Sequence, residues 1–393
     1  MFKAVAGYYK DNERLRLLVK IIAVWLISRA VMLLMVPVMN LIADEPHQWL
    51  YYMNPWDAEW YKGIVENGYQ PPKSSGMASW AFFPLYPLVC MAVRLVTMGS
   101  IDTYAVGMTV SNICIIIAVY YAVKYADIEL DMKKYNKKTV EDIIIFLMLA
   151  GPFAVYYGAM YTEALFILCV ILCFYNSARH NYMAAGIAAA MASATRIVGC
   201  MLVFVLITYM FMETCAECRA KHNSEMKDNK EAGIIDKCML TEEAGILIAG
   251  NISLASVIRT FIKNVIKEPK KLVAIMISPL GIFIYMNYLR YFCGDSWAFY
   301  HVQRAWRTQK MFPVIGVLFK SCTGQLSAAS GVKTLNGIIL GWLCVITLML
   351  YAAMIRKKHY ALGIFGIIVL LIPLTSSAVS YTHLRAHETG RNL

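Results

Sequence analysis

Long apolar runs alternate with short polar connectors along most of the chain. Segments long enough to cross about 30 Å of hydrocarbon are residues 21–43, 81–98, 104–123, 141–158, 161–178, 182–212, 271–292, 335–355 and 360–378. Within hydrocarbon, a helix is the structure that satisfies its backbone hydrogen bonds inside one segment. The pattern therefore predicts an all-α polytopic membrane protein with about eight to ten transmembrane helices and a large first extracytoplasmic loop at 44–80.

The composition excludes a soluble domain. Of the 393 residues, 59% are hydrophobic and 16% are charged, whereas a soluble domain carries about 25% charged residues. Most of the 11 cysteines lie inside apolar runs, where a thiol acts as a small apolar group, so no disulfide framework is predicted. The formal net charge of +12 comes from lysines and arginines in short connectors, which indicates topology and not nucleic-acid binding.

Sidedness follows from the basic connectors at 124–138, 179–180, 215–271 and 356–359. Loops rich in lysine and arginine stay in the cytoplasm, so these four, including a loop at 214–270, are predicted to be cytoplasmic. A basic leader precedes the first run, which has no small-residue cleavage site and is expected to be a retained helix with a cytoplasmic N-terminus.

Two segments need a special path to fit this topology. The run 182–212 is long enough for a broken hairpin that turns near Thr195 and Arg196. The run 81–98 contains Pro84, Pro87 and Arg94, so it is predicted to be a re-entrant or interfacial segment and not a full span.

The C-terminal segment 379–393 is expected to be non-native. Residues 379–389 match one reading frame of a common transposase sequencing adapter, and they interrupt an apolar run abruptly. We therefore expect residues 1–378 to form a single transmembrane domain whose natural C-terminus is missing.

Four polar groups meet on the predicted non-cytoplasmic side. They are the loop around Trp56 and Asp57, the run 161–163, the pair Thr195 and Arg196, and the segment 294–299. Charged residues near bilayer depth are costly and tend to line functional cavities, which makes Asp57, Glu163 and Arg196 candidates. The alternative for each is an internal ion pair or a side chain that reaches the membrane interface.

Two motifs flank the polar segment after the first apolar run, residues 55–61 (Pro-Trp-Asp-Ala-Glu-Trp-Tyr) and 81–87 (Ala-Phe-Phe-Pro-Leu-Tyr-Pro). They are similar to the first luminal loop of the PIG-V family of mannosyltransferases. Further similarities lie at 151–152, 161–166 and 194–199, and the segment 294–306 resembles bacterial members. The resemblance implies a GT-C membrane glycosyltransferase that takes mannose from a polyprenyl phosphate and inverts the anomeric centre.

The resemblance also suggests roles for individual residues. Asp57 would be the general base that deprotonates the acceptor hydroxyl, and Glu59 would assist it or point elsewhere. Arg196, or else Arg304 or Arg307, would bind the leaving phosphate; the alternative for Arg304 and Arg307 is a cation that faces the lipid headgroups. Glu163 would hold Arg196 or bind sugar hydroxyls, unless it only begins a helix. Asp295 is expected to contact substrate.

Aromatic side chains offer the remaining substrate contacts. Trp297, with Trp56, Trp60 and Trp80, would form a sugar and lipid platform or, alternatively, an interfacial aromatic belt. The proposed chemistry needs no metal and no cofactor. The expected partners are a polyprenyl-phosphate sugar, a glycan or glycolipid acceptor and the lipid bilayer. The expected location is a bacterial plasma membrane, with the active site on the extracytoplasmic side.

Two cytoplasmic patterns stand apart from these motifs. Cys215 and Cys218, with a histidine and a cysteine downstream, have irregular spacing that favours reduced thiols over a zinc site. Residues 242–266 are predicted to lie on the membrane as an amphipathic helix, with Arg259, Lys263 and Lys267 toward phospholipid.

A transporter or flippase for lipid-linked saccharides is the main alternative function. Transporters tend to contain inverted repeats with paired broken helices, and no convincing repeat is present in this chain. An inactive structural relative is a further alternative. Mannosyl transfer is therefore the leading hypothesis.

Overall fold

A computed structural model describes residues 12–42, 48–72, 76–231, 253–305, 314–325 and 334–375. Within these ranges the regular secondary structure is helical, which confirms the prediction of an all-α membrane protein. The helices are α1 Glu13–Ile42, α2 Trp49–Met53, α3 Ala58–Asn67, α4 Leu85–Val96, α5 Thr103–Glu129, α6 Lys137–Leu149, α7 Glu163–Ala178, α8 Tyr182–Ser193, α9 Leu202–Glu231, α10 Leu254–Lys267, α11 Pro269–Ile277, α12 Leu280–Cys293, α13 Ala298–His301, α14 Val314–Cys322, α15 Thr334–Arg356 and α16 Tyr360–Thr375.

Length and hydropathy identify the helices that can cross a membrane. Among the described residues, 4 helical segments are long and apolar enough to cross a membrane on their own: Glu13–Ile42, Thr103–Glu129, Ile197–Ser224 and Gly337–Arg356. The bent pair of α11 and α12 would make a fifth if the two helices form one span. Shorter apolar helices are Leu85–Val96, Glu163–Ala178, Tyr182–Ser193 and Tyr360–Ile372. The chain is thus polytopic, while the predicted number of about eight to ten spans depends on the path of these shorter helices.

The structure gives the path of three segments in more detail than the apolar pattern does. The predicted span 141–158 ends as a helix at Leu149, and residues 150–162, here called the tip, form turns. The run 182–212 breaks between Ser193 and Ile197, which confirms the predicted break near Thr195 and Arg196. The described part of the predicted cytoplasmic loop is helical, because α9 continues to Glu231 and α10 and α11 follow.

Several sequence predictions concern residues outside the described ranges. These are the tail 379–393, parts of the loop 44–80, residues 232–252 with the downstream cysteine, and Arg307. The 12-residue helix α4 is short for a span, since 12 residues of helix extend about 18 Å. Its length suits a re-entrant or interfacial segment, which stays a prediction.

The chain forms two compact units. The first comprises Met1–Ala178, Ala188–Cys200 and Pro279–Thr308. Within it, α5 packs extensively on α7, and α1 contacts α5 and α6. The centre of α5 is buried through Ile115, Ala118 and Val119, whose modest side chains allow the neighbouring helices to approach closely.

A second apolar cluster of the first unit joins the loop before α4 to α12 and α13. Phe83, Tyr285 and Phe299 form its centre, with ring centroids 5.2 Å apart for Phe83 and Tyr285 and 5.4 Å apart for Phe83 and Phe299. The hydroxyl of Tyr285 donates to the carbonyl oxygen of Trp80 at 2.8 Å. The cluster therefore fixes residues 80–83 beside the loop that follows α12.

The tip is irregular backbone inside a membrane protein, and side chains satisfy its polar groups. At the end of α6, just before the tip, Ser28 of α1 donates to the carbonyl oxygen of Leu149; within the tip, Arg29 donates to that of Ala154 at 2.9 Å. Asn112 of α5 donates to the carbonyl oxygen of Gly158 at 3.2 Å. Non-helical backbone is tolerated at membrane depth where protein groups replace the missing bonds, so α1 and α5 hold the tip in its fold.

The second unit comprises Arg179–Ile187, Met201–Ser278 and Gln309–Leu393. In it α14, α15 and α16 pack together, while α9 contacts α10, α11 and α16. Lys271 is buried, with 5% of its side chain exposed, and its Nζ lies 3.1 Å from Glu213 and 2.8 Å from Glu268. Tyr182 donates to the same Glu213 carboxylate at 2.8 Å. Paired carboxylates offset the cost of burying this lysine.

Candidate active site

Three hydrogen bonds fasten the loop before α3 to the tip. The buried side chain of Asn54 accepts from the backbone N–H of Met160 at 2.7 Å. The hydroxyl of Tyr161 donates to the carbonyl oxygen of Pro55 at 2.5 Å and accepts from the backbone N–H of Asp57 at 3.2 Å. These bonds join residues more than 100 positions apart, so the place of Asp57 is set by tertiary structure.

Asp57 stands immediately before α3, at the position where aspartate usually caps a helix. Its backbone is already in the right-handed helical region, with φ −65° and ψ −18°, and its side chain accepts no capping bond from its own helix. The preceding Trp56 has φ 54°, a left-handed conformation that is uncommon for a bulky residue. The local backbone is thus arranged for something other than helix capping, and such outliers cluster at functional sites.

Arg196 lies in the break between α8 and α9 and reaches the start of α7. Its Nη2 is 2.5 Å from Oε1 of Glu163, and its Nε donates to the hydroxyl of Thr162 at 3.1 Å. Its Cζ lies 6.0 Å from the ring centre of Phe166. Two of the three guanidinium nitrogens are thus held by different residues, so the orientation of the group is fixed.

Tyr61 connects this arginine to the helix that follows Asp57. Its hydroxyl is 3.4 Å from the hydroxyl of Thr162, and its ring packs edge-on against Phe82 at 5.0 Å and Tyr86 at 5.5 Å. Burial is the main reason that the pKa of Tyr61 is raised, so it stays a neutral phenol. We call Asp57, Tyr61, Thr162, Glu163 and Arg196 the central polar group.

The charges of the central polar group act on one another. Burial alone would lower the pKa of Arg196, but the carboxylates of Glu163 and, more weakly, Asp57 offset this, and its pKa is raised. Its side chain nevertheless remains 42% exposed. The guanidinium is therefore held by Glu163 and Thr162 while part of its surface stays accessible. The structure therefore brings together three residues singled out in the sequence, Asp57, Glu163 and Arg196.

One carboxylate oxygen in this group lacks a protein partner. Oε2 of Glu163 is buried and accepts no hydrogen bond from any described residue, whereas Oε1 is paired with Arg196. A buried acceptor without a donor is costly, and such a group needs an explanation. This oxygen is therefore available to accept a hydrogen bond from a bound molecule.

Glu59 lies in a different setting from Asp57. Its carboxylate accepts from the hydroxyl of Tyr104 at the start of α5. One helical turn further on, Lys62 pairs with Glu66 at 3.0 Å, and Glu66 also accepts from Thr103 at 2.7 Å. The helix points Glu59 toward α5, which corresponds to the second of the two orientations expected from the sequence. Its role in substrate binding stays a prediction.

The segment 294–301 forms a second polar arrangement. Oδ2 of Asp295 is 2.7 Å from Nδ1 of His301, and Oδ1 accepts from the backbone N–H of Trp297 at 2.9 Å. The hydrogen bond with His301 is the main reason that the pKa of Asp295 is lowered. The indole of Trp297 is 50% exposed. The carboxylate thus orients an imidazole beside an exposed aromatic face.

Sequence reasoning missed two residues of this unit. His301 was overlooked, although its partner Asp295 is only six positions away and that short separation could have revealed the pair. Arg29 was overlooked as one cation in an apolar run; its Nε and Nη2 are buried without a hydrogen-bond partner among the described residues. An arginine within a span is a functional candidate on cost alone, and here it holds the tip.

The other predicted contacts are only partly described. Arg304 falls in a short 3-10 helix, Val302–Ala305, and the position of its side chain lies outside the described structure, as does Arg307. Trp60 stacks on Phe82 with ring centroids 5.7 Å apart. The predicted roles of these residues, and of Trp297, stay predictions.

A comparison with known families decides the identity. The sequence model of the family described as mannosyltransferase (PIG-V) matches residues 15–232, more than half of the 393-residue chain. The chain belongs to the PIG-V mannosyltransferase family. No curated protein and no solved structure matches it.

Family membership confirms the resemblance to the PIG-V family, whereas the resemblance of residues 294–306 to bacterial members stays a prediction. This PIG-V family member is an integral membrane protein of a glycosyltransferase family, which implies a sugar donor and a glycan acceptor. The matched region contains Asp57, Glu163 and Arg196, whereas Asp295 and His301 lie beyond it. The central polar group is therefore the part of the site that the family match covers.

Proposed function

We propose that this PIG-V family member transfers mannose from a polyprenyl-phosphate donor to a lipid-linked or exported glycan acceptor. The reaction is a GT-C-type transfer with inversion, on the extracytoplasmic side of a bacterial plasma membrane. The observation that supports it best is a fixed, partly exposed guanidinium, that of Arg196, within electrostatic range of the Asp57 carboxylate.

The chemistry needs one displacement. The acceptor hydroxyl oxygen attacks the anomeric carbon as the bond from that carbon to the phosphate oxygen breaks, and the bonding electrons leave with the lipid phosphate. Asp57 takes the proton of the acceptor hydroxyl. A second carboxylate acting as nucleophile is unnecessary for inversion in one step.

Charge grows on the leaving phosphate during this displacement, since a monoanionic diester becomes a monoester with a further negative charge. Arg196 is suited to stabilise that charge. Glu163 and Thr162 occupy Nη2 and Nε, while Nη1 donates to no described residue and keeps two N–H groups for phosphate oxygens. Preorganised donors of this kind are worth most where charge develops.

Glu163 contributes in two ways. Its Oε1 holds the guanidinium in place, and its Oε2 is left to accept a hydroxyl of the mannose ring. The proposed site therefore contains a base, a phosphate-binding cation and a sugar-binding oxygen. None of these roles requires a metal ion.

The test is transfer of radiolabelled mannose from polyprenyl-phosphate mannose in proteoliposomes, with a membrane glycan extract as acceptor. Asp57→Asn keeps the size of the side chain and removes the base, so we expect kcat to fall by about 10²- to 10⁴-fold, the usual contribution of general base catalysis. Asp131→Asn, in an exposed turn of the same unit, is the matched control and should transfer normally.

The outcomes separate the parts of the proposal. Undiminished transfer by Asp57→Asn would exclude Asp57 as the base. Transfer by the wild type from guanosine diphosphate mannose, but not from the polyprenyl donor, would overturn the donor class. Uptake of intact lipid-linked sugar into vesicles without any transfer would favour a flippase.

A further inference from the structure

The helix α10, Leu254–Lys267, presents three different faces around its axis. Val257 and Val265 are buried, with 5% and 8% exposure, and the ring of Phe261 packs edge-on against Phe211 of α9 at 5.7 Å. Asn264 donates to Glu217 of α9 at 2.8 Å. Successive helical residues turn by about 100°, so these positions form one side of α10, which faces α9.

The next face of α10 is apolar and uncovered. Leu254, Ile258, Ile262 and Ile266 are four residues apart and are 51%, 42%, 51% and 65% exposed. Each step of four residues advances by about 40° around the helix, so the four side chains form one continuous stripe beside the buried side. An exposed apolar stripe on a short helix indicates an interaction surface.

The face beyond this apolar stripe is basic. Arg259, Lys263 and Lys267 are also four residues apart, and all three are exposed. No acidic residue occurs within α10. The basic stripe directly adjoins the apolar one. A partner must therefore offer an apolar surface to the isoleucine side chains and, next to it, negative charge to the cations. That combination is the property of a membrane surface containing anionic lipids, where chains and phosphates lie side by side.

The position of α10 agrees with this partner. Its contacts on α9 are at Phe211 and Glu217, which lie in the second half of the candidate span Ile197–Ser224. A helix packed beside the end of a span lies at the height of the lipid headgroups. Long basic side chains there extend toward phosphate groups while the apolar side enters the acyl region.

We propose that α10 is an interfacial helix that binds anionic phospholipid through the stripe Arg259, Lys263 and Lys267 while Leu254, Ile258, Ile262 and Ile266 enter the hydrocarbon. On the predicted topology this is the cytoplasmic leaflet. Each basic side chain near an anionic surface contributes about 1 kcal/mol, corresponding to about a fivefold preference. The assignment is independent of the transfer reaction.

The test uses a tryptophan placed on the apolar stripe as a local reporter. The full chain carrying Ile262→Trp is reconstituted in vesicles of phosphatidylcholine and phosphatidylglycerol. In one sample the acyl chains of phosphatidylcholine are brominated, and in the other those of phosphatidylglycerol. The fluorescence of the protein without the added tryptophan is subtracted, since the chain already contains 8 tryptophans. We expect bromine to quench the added tryptophan, and brominated phosphatidylglycerol to quench it more strongly. Ser256→Trp, which lies on the basic side between Lys263 and Lys267, should be quenched less than Ile262→Trp because it stays nearer the headgroups.

Charge removal then tests the basic stripe. In the Ile262→Trp background, Arg259→Gln, Lys263→Gln and Lys267→Gln together should reduce the preference for phosphatidylglycerol by about fivefold or more. The matched control removes three exposed lysines elsewhere, Lys133→Gln, Lys134→Gln and Lys138→Gln, and should leave the preference unchanged. Circular dichroism verifies that both variants keep their helices.

Three results would overturn the proposal. An unquenched tryptophan at position 262 would mean that α10 lies away from the bilayer, as it would if a protein partner covered this face. Equal quenching by both brominated lipids would exclude a preference for anionic lipid. An equal loss in the control variant would assign the preference to general surface charge.

Discussion

The central polar group and the segment 294–301 are both polar regions of the first unit, but they are built differently. Hydrogen bonds of the former join residues 33 to 104 positions apart, as between Arg196 and Glu163 or Asp57 and Tyr161. Those of Asp295 reach residues two and six positions away. The first arrangement exists only when the tertiary structure is complete, whereas the second forms within a segment of seven residues, 295–301.

Exposure separates the two regions only in part. Tyr61 and Thr162 are buried, with 5% and 0% exposure, whereas the side chain of Arg196 is 42% exposed, close to the 41% and 51% of Asp295 and His301. Electrostatic interactions are strong where water is excluded and weak where it is not. Because the buried Thr162 holds Arg196, while the partners of Asp295 are exposed, we expect catalysis at the central polar group and substrate recognition at the segment 294–301.

The largest effect after loss of Asp57 is expected at Arg196. Arg196→Met removes the cation proposed to bind the leaving phosphate and leaves Glu163 without its partner. We expect kcat to fall by about 10²- to 10³-fold, the usual result of removing a charge-stabilising donor. Arg290→Met, an exposed cation of the same unit, is the control. Mannose transfer in proteoliposomes is the measurement.

A double variant separates the two consequences of this change. Glu163→Gln combined with Arg196→Met removes the uncompensated carboxylate and should restore thermal stability without restoring kcat. Recovery of transfer in the double variant would mean that Arg196 only neutralises Glu163, and the proposed phosphate contact would be wrong.

A smaller effect is expected where the loop before α3 is fastened to the tip. Asn54→Ala deprives the backbone N–H of Met160 of its acceptor, and a buried donor without a partner costs about 1–3 kcal/mol. We expect a lower unfolding temperature, and a lower kcat because Asp57 loses its support. Asn287→Ala, which removes only a local bond on the exposed face of α12, is the control. Equal activity in the two variants would argue against this role.

Changes in the segment 294–301 should be milder and of a different kind. His301→Phe removes the imidazole while keeping a ring of similar shape. If the segment recognises substrate, KM for the acceptor should rise by roughly fivefold, the equivalent of a hydrogen bond of about 1 kcal/mol, with kcat unchanged. A fall in kcat comparable to that of Asp57→Asn would erase the distinction between the two regions.

The smallest effect concerns pH. The pKa of Asp295 in the folded protein is lowered, chiefly by the hydrogen bond with His301. A carboxyl of this kind stabilises the fold above its unfolded pKa of about 3.9, and that contribution is lost as pH falls through the lower folded pKa. The difference in unfolding temperature between wild type and Asp295→Asn should therefore shrink from pH 6 to pH 3. The exposed pair makes this shift small.

Much of the helical architecture follows from the apolar pattern. The long runs at 21–43 and 104–123 became α1 and α5, because a continuous apolar helix is the economical way to cross hydrocarbon. The break near Arg196 was also predictable, since the run 182–212 is longer than one span requires. The tip was not predictable: residues 150–158 are apolar enough to continue α6, but side chains of α1 and α5 capture their carbonyl groups instead.

The candidate site shows the same division. Asp57, Glu163 and Arg196 were found as costly charges between apolar runs. The direction of Glu59 toward Tyr104 and the support given by Arg29 were not found, because a partner 45 or 125 positions away leaves no local signal. The pair of Asp295 and His301 lay within reach of sequence reasoning, since one helical turn connects them.

The sequence by itself determined the membrane class, the family and the identity of the charged residues that face the site, because hydropathy and motif order are local properties of the chain. The tertiary structure alone decided which charges meet. Arg196 touches Glu163, and Asp57 is held beside them by Tyr161, because irregular backbone at the tip and in the break after α8 must satisfy its polar groups with distant side chains. That requirement, and not any local preference, assembles the central polar group.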